Sequence, residues 1–132
     1  MATGVTRNLI RYNFPARSVI ETLGGTQVAG GLPKPVAVPA GQSLTLTGWI
    51  VDPARRAGAA ADVALDGVPV QAQYGSPRTD VASRLSSSDA TRYGLFAVLP
   101  NLIAGDHTLA LRVVSRDREM FFEGPLLKIT AR

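Results

Sequence analysis

Hydrophobic and polar residues alternate with a period of two in the middle of the chain. Between residues 43 and 50, one parity carries only apolar residues or glycine: Leu44, Leu46, Gly48 and Ile50. The other parity carries serine, threonine and tryptophan. Successive side chains of a β-strand point to opposite faces, so this pattern predicts a strand with one face in a core.

Further short apolar segments follow this strand and are separated by turn residues. Asp66-Gly67 stands between two β-rich segments and predicts a tight hairpin. Strands are also predicted at Tyr93–Leu99, at His107–Val113 and within residues 121–129. Because turns recur and no helical period exceeds two turns, the sequence predicts an all-β antiparallel sandwich of seven to nine strands.

The first 35 residues lack this regular alternation. Residues 1–17 carry scattered arginines without an apolar period, and Pro15 interrupts any helix there. The segment from Gly24 to Pro39 is rich in glycine and proline, which predicts an extended connector. Between these segments only Ser18–Leu23 has the pattern of a strand. We therefore predict a basic, Gly/Pro-rich arm and connector at residues 1–35 and a β-sandwich domain at residues 36–132.

Composition narrows the possible chemistry. The chain has 132 residues, which matches one domain, and it contains no cysteine and a single histidine. These counts exclude disulfides, thiolate metal sites and multi-histidine centres. We expect neither a metal nor a cofactor. No acid/base motif, nucleophile elbow, P-loop or dinucleotide-binding motif is present, so we predict that the chain is not an enzyme.

The charge pattern bears on partners and location. The net charge is +4, but the cations are spread along the chain and several stand beside acidic residues. Nucleic-acid binding is therefore not expected. The amino terminus lacks the apolar run of a secretory signal, and no segment reaches the length of a membrane span. We expect no membrane span, and a cytoplasmic location if the chain is complete.

Five short motifs occur in order along the chain. They are Gly48-Trp49-Ile50-Val51-Asp52, Asp66-Gly67, Tyr74-Gly75-Ser76-Pro77-Arg78-Thr79-Asp80-Val81-Ala82, Tyr93-Gly94-Leu95-Phe96 and Gly105-Asp106-His107-Thr108-Leu109. Together they resemble bacterial immunoglobulin-like β-sandwich modules appended to glycosyltransferases of surface-polysaccharide synthesis. The resemblance covers residues 48–114. It implies an immunoglobulin-like fold and an association with glycans or with the enzymes that make them.

Four residues are candidates for ligand contact. Trp49 lies on the parity opposite to the apolar residues, where its ring either stacks on a sugar or covers the core. Tyr74 is the second aromatic candidate. Arg78 and Asp80 are two residues apart, so in an extended segment they project to the same side. There they form either a structural clamp or a site for a sugar or phosphate. We favour the core interpretation for Trp49 and the clamp for the charged pair.

Five other residues are predicted to be structural. Asp52 precedes Pro53 at the start of a loop, where a carboxylate accepts backbone hydrogen bonds. Asp66 and Gly67 form the hairpin turn, and Gly94 belongs to the fourth motif. His107 follows a Gly-Asp turn and is predicted to hydrogen-bond at a loop edge.

Two functional hypotheses follow from these observations. The first is a non-catalytic β-sandwich accessory or interaction module whose implied context is glycans or the machinery that makes them. Any direct glycan binding by it is expected to be weak. The alternative is a self-assembling or partner-docking structural subunit, whose amino-terminal arm adds a strand to the sheet of a protein partner or a second copy.

Overall fold

The computed structural model describes residues 5, 9–11, 16–28, 36–53, 58–77 and 92–132. Within these residues there is no helix, so none that could cross a bilayer, and the strands form two sheets. The prediction of an all-β chain is confirmed, and the two sheets are compatible with a sandwich. The strands are β1 (Ile10–Arg11), β2 (Arg17–Leu23), β3 (Thr26–Gln27), β4 (Val36–Val38), β5 (Leu44–Val51), β6 (Ala60–Leu65), β7 (Val68–Gln71), β8 (Gln73–Pro77), β9 (Arg92–Leu99), β10 (Gly105–Val114), β11 (Met120–Glu123) and β12 (Leu127–Ala131).

The first sheet is built around β10. One edge of β10 pairs with β6, which pairs in turn with β7. The other edge is divided: its first half pairs with β12 and its second half pairs with β11. Two short strands extend this side in parallel orientation, β4 beside β12 and β1 beside β11.

The second sheet has the order β3-β2-β5-β9-β8, and all of its pairings are antiparallel. The inner faces of both sheets supply one hydrophobic core. Its fully buried side chains include Leu46, Ile50 and Leu99 from the second sheet and Val63, Leu109 and Leu111 from the first. The period-two pattern in β5 therefore marks the core face as predicted.

The predicted hairpin at Asp66-Gly67 is confirmed. Leu65 pairs with Val68 across the turn, and both turn residues have positive φ angles, 53° for Asp66 and 82° for Gly67. Two residues with positive φ define the type I′ turn, whose twist matches that of the strands it joins. The strands predicted at Tyr93–Leu99, at His107–Val113 and within residues 121–129 are present as β9, β10, β11 and β12.

The segment of residues 1–35 contains more sheet structure than predicted. The predicted strand at Ser18–Leu23 corresponds to β2, which pairs with β5 from Arg17 to Leu23 and so belongs to the body of the second sheet. Gly24 and Gly25 have φ angles of 61° and 83° and form a second tight turn, which leads into β3. The sheets thus begin before residue 36. A Gly-Gly pair is itself a hairpin signal, but the glycine and proline content after it favoured a connector.

Candidate functional site

His107 is held by two hydrogen-bond acceptors at one end of the sandwich. Its Nδ1 lies 2.6 Å from Oδ2 of Asp66, in the β6–β7 turn. Its Nε2 lies 2.8 Å from the carbonyl oxygen of Ile103, in the β9–β10 connection. The second oxygen of Asp66 accepts a hydrogen bond from the amide of Thr108 at 2.9 Å. One histidine therefore links three segments, which fits the structural role expected for His107 and Asp66.

The contacts between these groups shift the pKa values of both. The hydrogen bond to Asp66 raises the pKa of His107 above its ordinary value of 6.5, and the Ile103 carbonyl and the charges of Asp66 and Asp106 act in the same direction. Burial raises the pKa of Asp66, but the hydrogen bonds from His107 and Thr108 and the charge of His107 outweigh this effect. The pKa of Asp66 therefore lies below its ordinary value of 3.8.

A polar recess lies beside this pair. Its volume is about 390 Å³. Its lining residues are Asp66, Asp106, His107, Thr108, Lys128 and Ile129. Asp106 accepts a hydrogen bond from the hydroxyl of Thr130 at 3.0 Å. Two carboxylates and one ammonium group thus line this recess together with the histidine. In the described part of the chain, no group of three or more His, Cys, Asp or Glu side chains could hold a metal ion.

Trp49 lies on the outer face of the second sheet, opposite to the core residues of β5, yet its side chain is only 7% exposed. Its cross-strand neighbours are Val19 on β2 and Gly94 on β9. Because glycine has no side chain, Gly94 leaves room beside the indole ring. A ring this buried fits the interpretation of Trp49 as a sheet cover better than that of an open stacking surface.

Tyr74 lies on β8 with its ring packed against the core. Its hydroxyl donates to the carbonyl oxygen of Ile50 at 2.8 Å and accepts from the amide of Gly58 at 3.2 Å. The polar end of the side chain is therefore used within the protein. The sequence places Tyr74 in a motif of the resemblance, but the partners of its hydroxyl are 24 and 16 residues away and carry no sequence signal.

The remaining candidate residues lie in different parts of the chain. Arg78 and Asp80 lie outside the described residues, so their clamp and ligand interpretations stay predictions. Asp52 directly follows β5 and is buried, a position that fits the structural role expected for it. Gly94 is buried on β9, as its place beside Trp49 requires.

A partly buried ion pair joins β10 to β11. The Nε of Arg112 donates to Oε2 of Glu123 at 2.8 Å, and the two side chains are only 13% and 11% exposed. The guanidinium also lies 4.7 Å from the ring centroid of Phe121. The partner of Arg112 stands opposite it on β11, eleven residues away, so the pairing depends on strand register and not on a local sequence pattern.

An uncharged groove lies beside the second half of β9. Its volume is about 460 Å³. The described residues that line it include Ser43, Gln71, Gln73, Phe96 and Val98. On the outer face of β9, Phe96 is 37% exposed and Val98 is 51% exposed. The groove combines an accessible aromatic ring with amide and hydroxyl side chains. Sequence analysis missed it because exposed apolar residues in a strand give the same pattern as buried ones.

Comparisons with protein families, with curated proteins and with solved structures find no match to this chain.

Proposed function

We propose that this chain is a non-catalytic, immunoglobulin-like β-sandwich module that mediates interaction with glycans. The observation that carries the proposal is the groove beside β9, where an exposed aromatic ring lies with three uncharged polar side chains in an otherwise apolar lining. The resemblance of the five motifs to modules of polysaccharide synthesis supports the same context.

The strand order supports the immunoglobulin-like classification. In immunoglobulin domains the strands A, B, E and D form one sheet and C, F and G form the other. Here β2-β5-β9-β8 and β6-β10-β12 reproduce these two orders with the same sequence of strands along the chain. β7 continues the second group beside β6, at the position of the additional strand C′. The short strands β1, β3, β4 and β11 are additions to this pattern.

The polar groups at the candidate positions support a non-catalytic role. Both ring nitrogens of His107 and the hydroxyl of Tyr74 are used in hydrogen bonds within the protein. Glu123 is paired with Arg112. A general base needs a lone pair aimed at substrate, and the only histidine of the chain has both nitrogens engaged.

The lining of the groove favours a neutral saccharide as the ligand. The C–H face of a sugar ring packs on an aromatic surface, here Phe96, and sugar hydroxyls bond to amides such as those of Gln71 and Gln73. No charged residue is found among the described residues of its lining. Because the groove is open, water competes with the sugar for its hydrogen bonds. We therefore expect a dissociation constant of about 1 mM, which corresponds to a binding free energy of about 4 kcal/mol.

The test is an NMR titration of the amide signals with a neutral and an acidic oligosaccharide. We expect the neutral sugar to shift signals of β9 and of residues 70–73, and Phe96→Ala to abolish these shifts. Leu126→Ala removes an exposed apolar side chain outside the groove and is the matched control. If neither sugar perturbs any signal, glycan binding at the groove is wrong.

The alternative function, self-assembly or docking through the amino-terminal arm, is favoured by one observation. Among the described residues, β1 pairs only with β11, at the edge of the first sheet, and the Ile10 side chain is exposed there. A two-residue strand at a sheet edge is a contact that a second copy can replace. Sedimentation analysis separates the two functions: a concentration-independent oligomer favours assembly, whereas a monomer favours the glycan module.

A further inference from the structure

His107 is surrounded by groups that constrain its protonation. The Ile103 carbonyl can only accept a hydrogen bond, and an ionised Asp66 carboxylate can only accept as well. Both contacts are therefore satisfied at once only when both ring nitrogens carry a proton. A neutral imidazole has one N–H, and its other nitrogen then points a lone pair at an acceptor oxygen.

The charged groups near the imidazole come from three elements. Asp66 faces it from the β6–β7 turn, Asp106 precedes it on β10, and Lys128 lines the same recess from β12. The β9–β10 connection, residues 100–104, contributes a carbonyl and no titratable side chain. The two carboxylates favour the protonated ring, and its partial burial disfavours it.

We propose that His107 is a pH-sensitive clamp that, in its protonated form, fastens the β6–β7 turn and the β9–β10 connection to the start of β10. On deprotonation the contact with Ile103 is lost. The contact with Asp66 is retained because it joins a donor to a charged acceptor at 2.6 Å, and such bonds are stronger than bonds to a neutral carbonyl.

The released part is small and defined. Leu102 is buried in the core, and its carbonyl accepts a hydrogen bond from the amide of Gly41 at 2.8 Å. These contacts hold the beginning of the connection at any pH. The side chain of Ile103 is 78% exposed, so packing does not hold the next residue. The clamp therefore controls residues 103 and 104, at the rim of the polar recess.

The direction of the pH effect follows from the two pKa shifts. The pKa of His107 is raised, so its contribution to stability is complete below about 6.5 and is lost as the pH rises through the folded-state pKa. The pKa of Asp66 is lowered, so its contribution is present above about 3.8 and is lost as the pH falls through its folded-state pKa. The clamp is therefore closed between the folded-state pKa of Asp66 and that of His107. It opens as the pH rises above the folded-state pKa of His107.

The test uses the intact chain and its single histidine, whose imidazole nitrogen signals can be followed by NMR without ambiguity. We expect the ring to titrate above pH 6.5, and the amide signals of Ile103 and Ala104 to shift with the same midpoint. Asp66→Asn should lower this midpoint because it removes the negative charge that stabilises the protonated ring. Asp117→Asn, at an exposed carboxylate in the β10–β11 turn, should leave the midpoint unchanged.

Two results would overturn the proposal. One is a His107 midpoint at or below 6.5 in the unmodified protein. The other is a set of Ile103 and Ala104 amide signals that stay constant while the ring titrates. Both measurements are made on the unmodified chain, so they decide the matter even if Asp66→Asn fails to fold.

Discussion

The hydroxyl group of Tyr74 donates a hydrogen bond to the carbonyl oxygen of Ile50, 2.8 Å away, although β8 and β5 are not neighbours in their sheet. The phenol therefore spans the width of β9 beneath the second sheet. Because the same oxygen accepts from the amide of Gly58, just before β6, it also joins the two sheets. A single side chain thus fixes the place where the chain leaves β5 and enters β6.

Replacing Tyr74 with phenylalanine tests this relationship. The ring stays in the core, but the Ile50 carbonyl and the Gly58 amide lose their partner. We expect Tyr74→Phe to lower the free energy of unfolding by about 1–3 kcal/mol, measured by urea denaturation. Ser43→Ala removes an exposed hydroxyl that donates to the Leu99 carbonyl, and it should cost less. Equal stability of Tyr74→Phe and the unmodified protein would contradict the joining role.

Gly48 on β5 lies close against the backbone of β2. A Cβ atom at this position would lie 2.2 Å from the carbonyl oxygen of Val19, which is too short for any contact. We expect Gly48→Ala to push the two strands apart. As in an overpacked core, it should lower the free energy of unfolding by about 1–3 kcal/mol. Thermal unfolding measures the effect. The control is Thr45→Ala, at an exposed position of the same strand, whose melting temperature should change little.

The sequence was informative where one local pattern determined the structure. The alternation in β5 and the Asp66-Gly67 turn each depend on neighbouring residues, so both could be recognised without knowledge of the rest of the chain. β2 was recognised as a strand at Ser18–Leu23. Its membership of the second sheet was not, because pairing with β5 depends on residues about thirty positions away.

The candidate site was less predictable for the same reason. The sequence places Asp66 in a hairpin turn and His107 after a Gly-Asp turn at the start of a strand, but their contact joins positions separated by 41 residues. Trp49 shows a second limit. Its parity correctly placed it on the face opposite to the core of β5, yet that position is buried. Parity assigns a side chain to a face and does not reveal whether that face is covered.

The ion pair of Arg112 and Glu123 allows a double-mutant cycle. Glu123→Leu leaves a largely buried guanidinium without its carboxylate, and we expect a loss of about 3 kcal/mol in the free energy of unfolding. Adding Arg112→Met removes the orphaned charge and should recover part of this loss. Chemical denaturation of the two single variants and the double variant gives the coupling. Strictly additive effects would show that the two side chains act independently.

Asp117 organises the β10–β11 turn and should titrate abnormally. The hydroxyl of Ser115 donates to its Oδ1 at 2.5 Å, and the amide of Glu119 donates to the same atom at 3.1 Å. The hydrogen bond from Ser115, helped by that of Glu119, holds the pKa of Asp117 below 3.8. Its contribution to stability is therefore present above pH 3.8 and is lost as the pH falls through the lowered value.

The check is an NMR titration of the Asp117 carboxyl signal. Ser115→Ala removes the main cause of the shift, so the pKa of Asp117 should return toward 3.8. Thr130→Ala removes a hydroxyl bonded to a different carboxylate, Asp106, and should not affect Asp117. An unchanged Asp117 titration in Ser115→Ala would contradict the assignment.

Deletion of residues 1–11 tests the role of the arm in association. It removes β1 and uncovers the edge of β11, but it spares Ala16, which is buried and whose amide donates to the Glu123 carbonyl. We expect the shortened chain to fold, with a circular dichroism spectrum like that of the full chain, and to change its sedimentation behaviour. A loss of folding would mean that β1 is part of the sandwich and not an exchangeable edge.

The divided edge of β10 has a consequence for how the protein opens. From Leu109 to Val114, one edge of this strand is paired with β6. Along most of this segment the other edge is paired with β12 or β11, and most of the side chains are buried. Its amides cannot meet solvent by fraying at one end, because each half is held by a different partner. Deuterium should therefore enter the centre of β10 only through global unfolding, and the exchange rate there reports the stability of the whole protein.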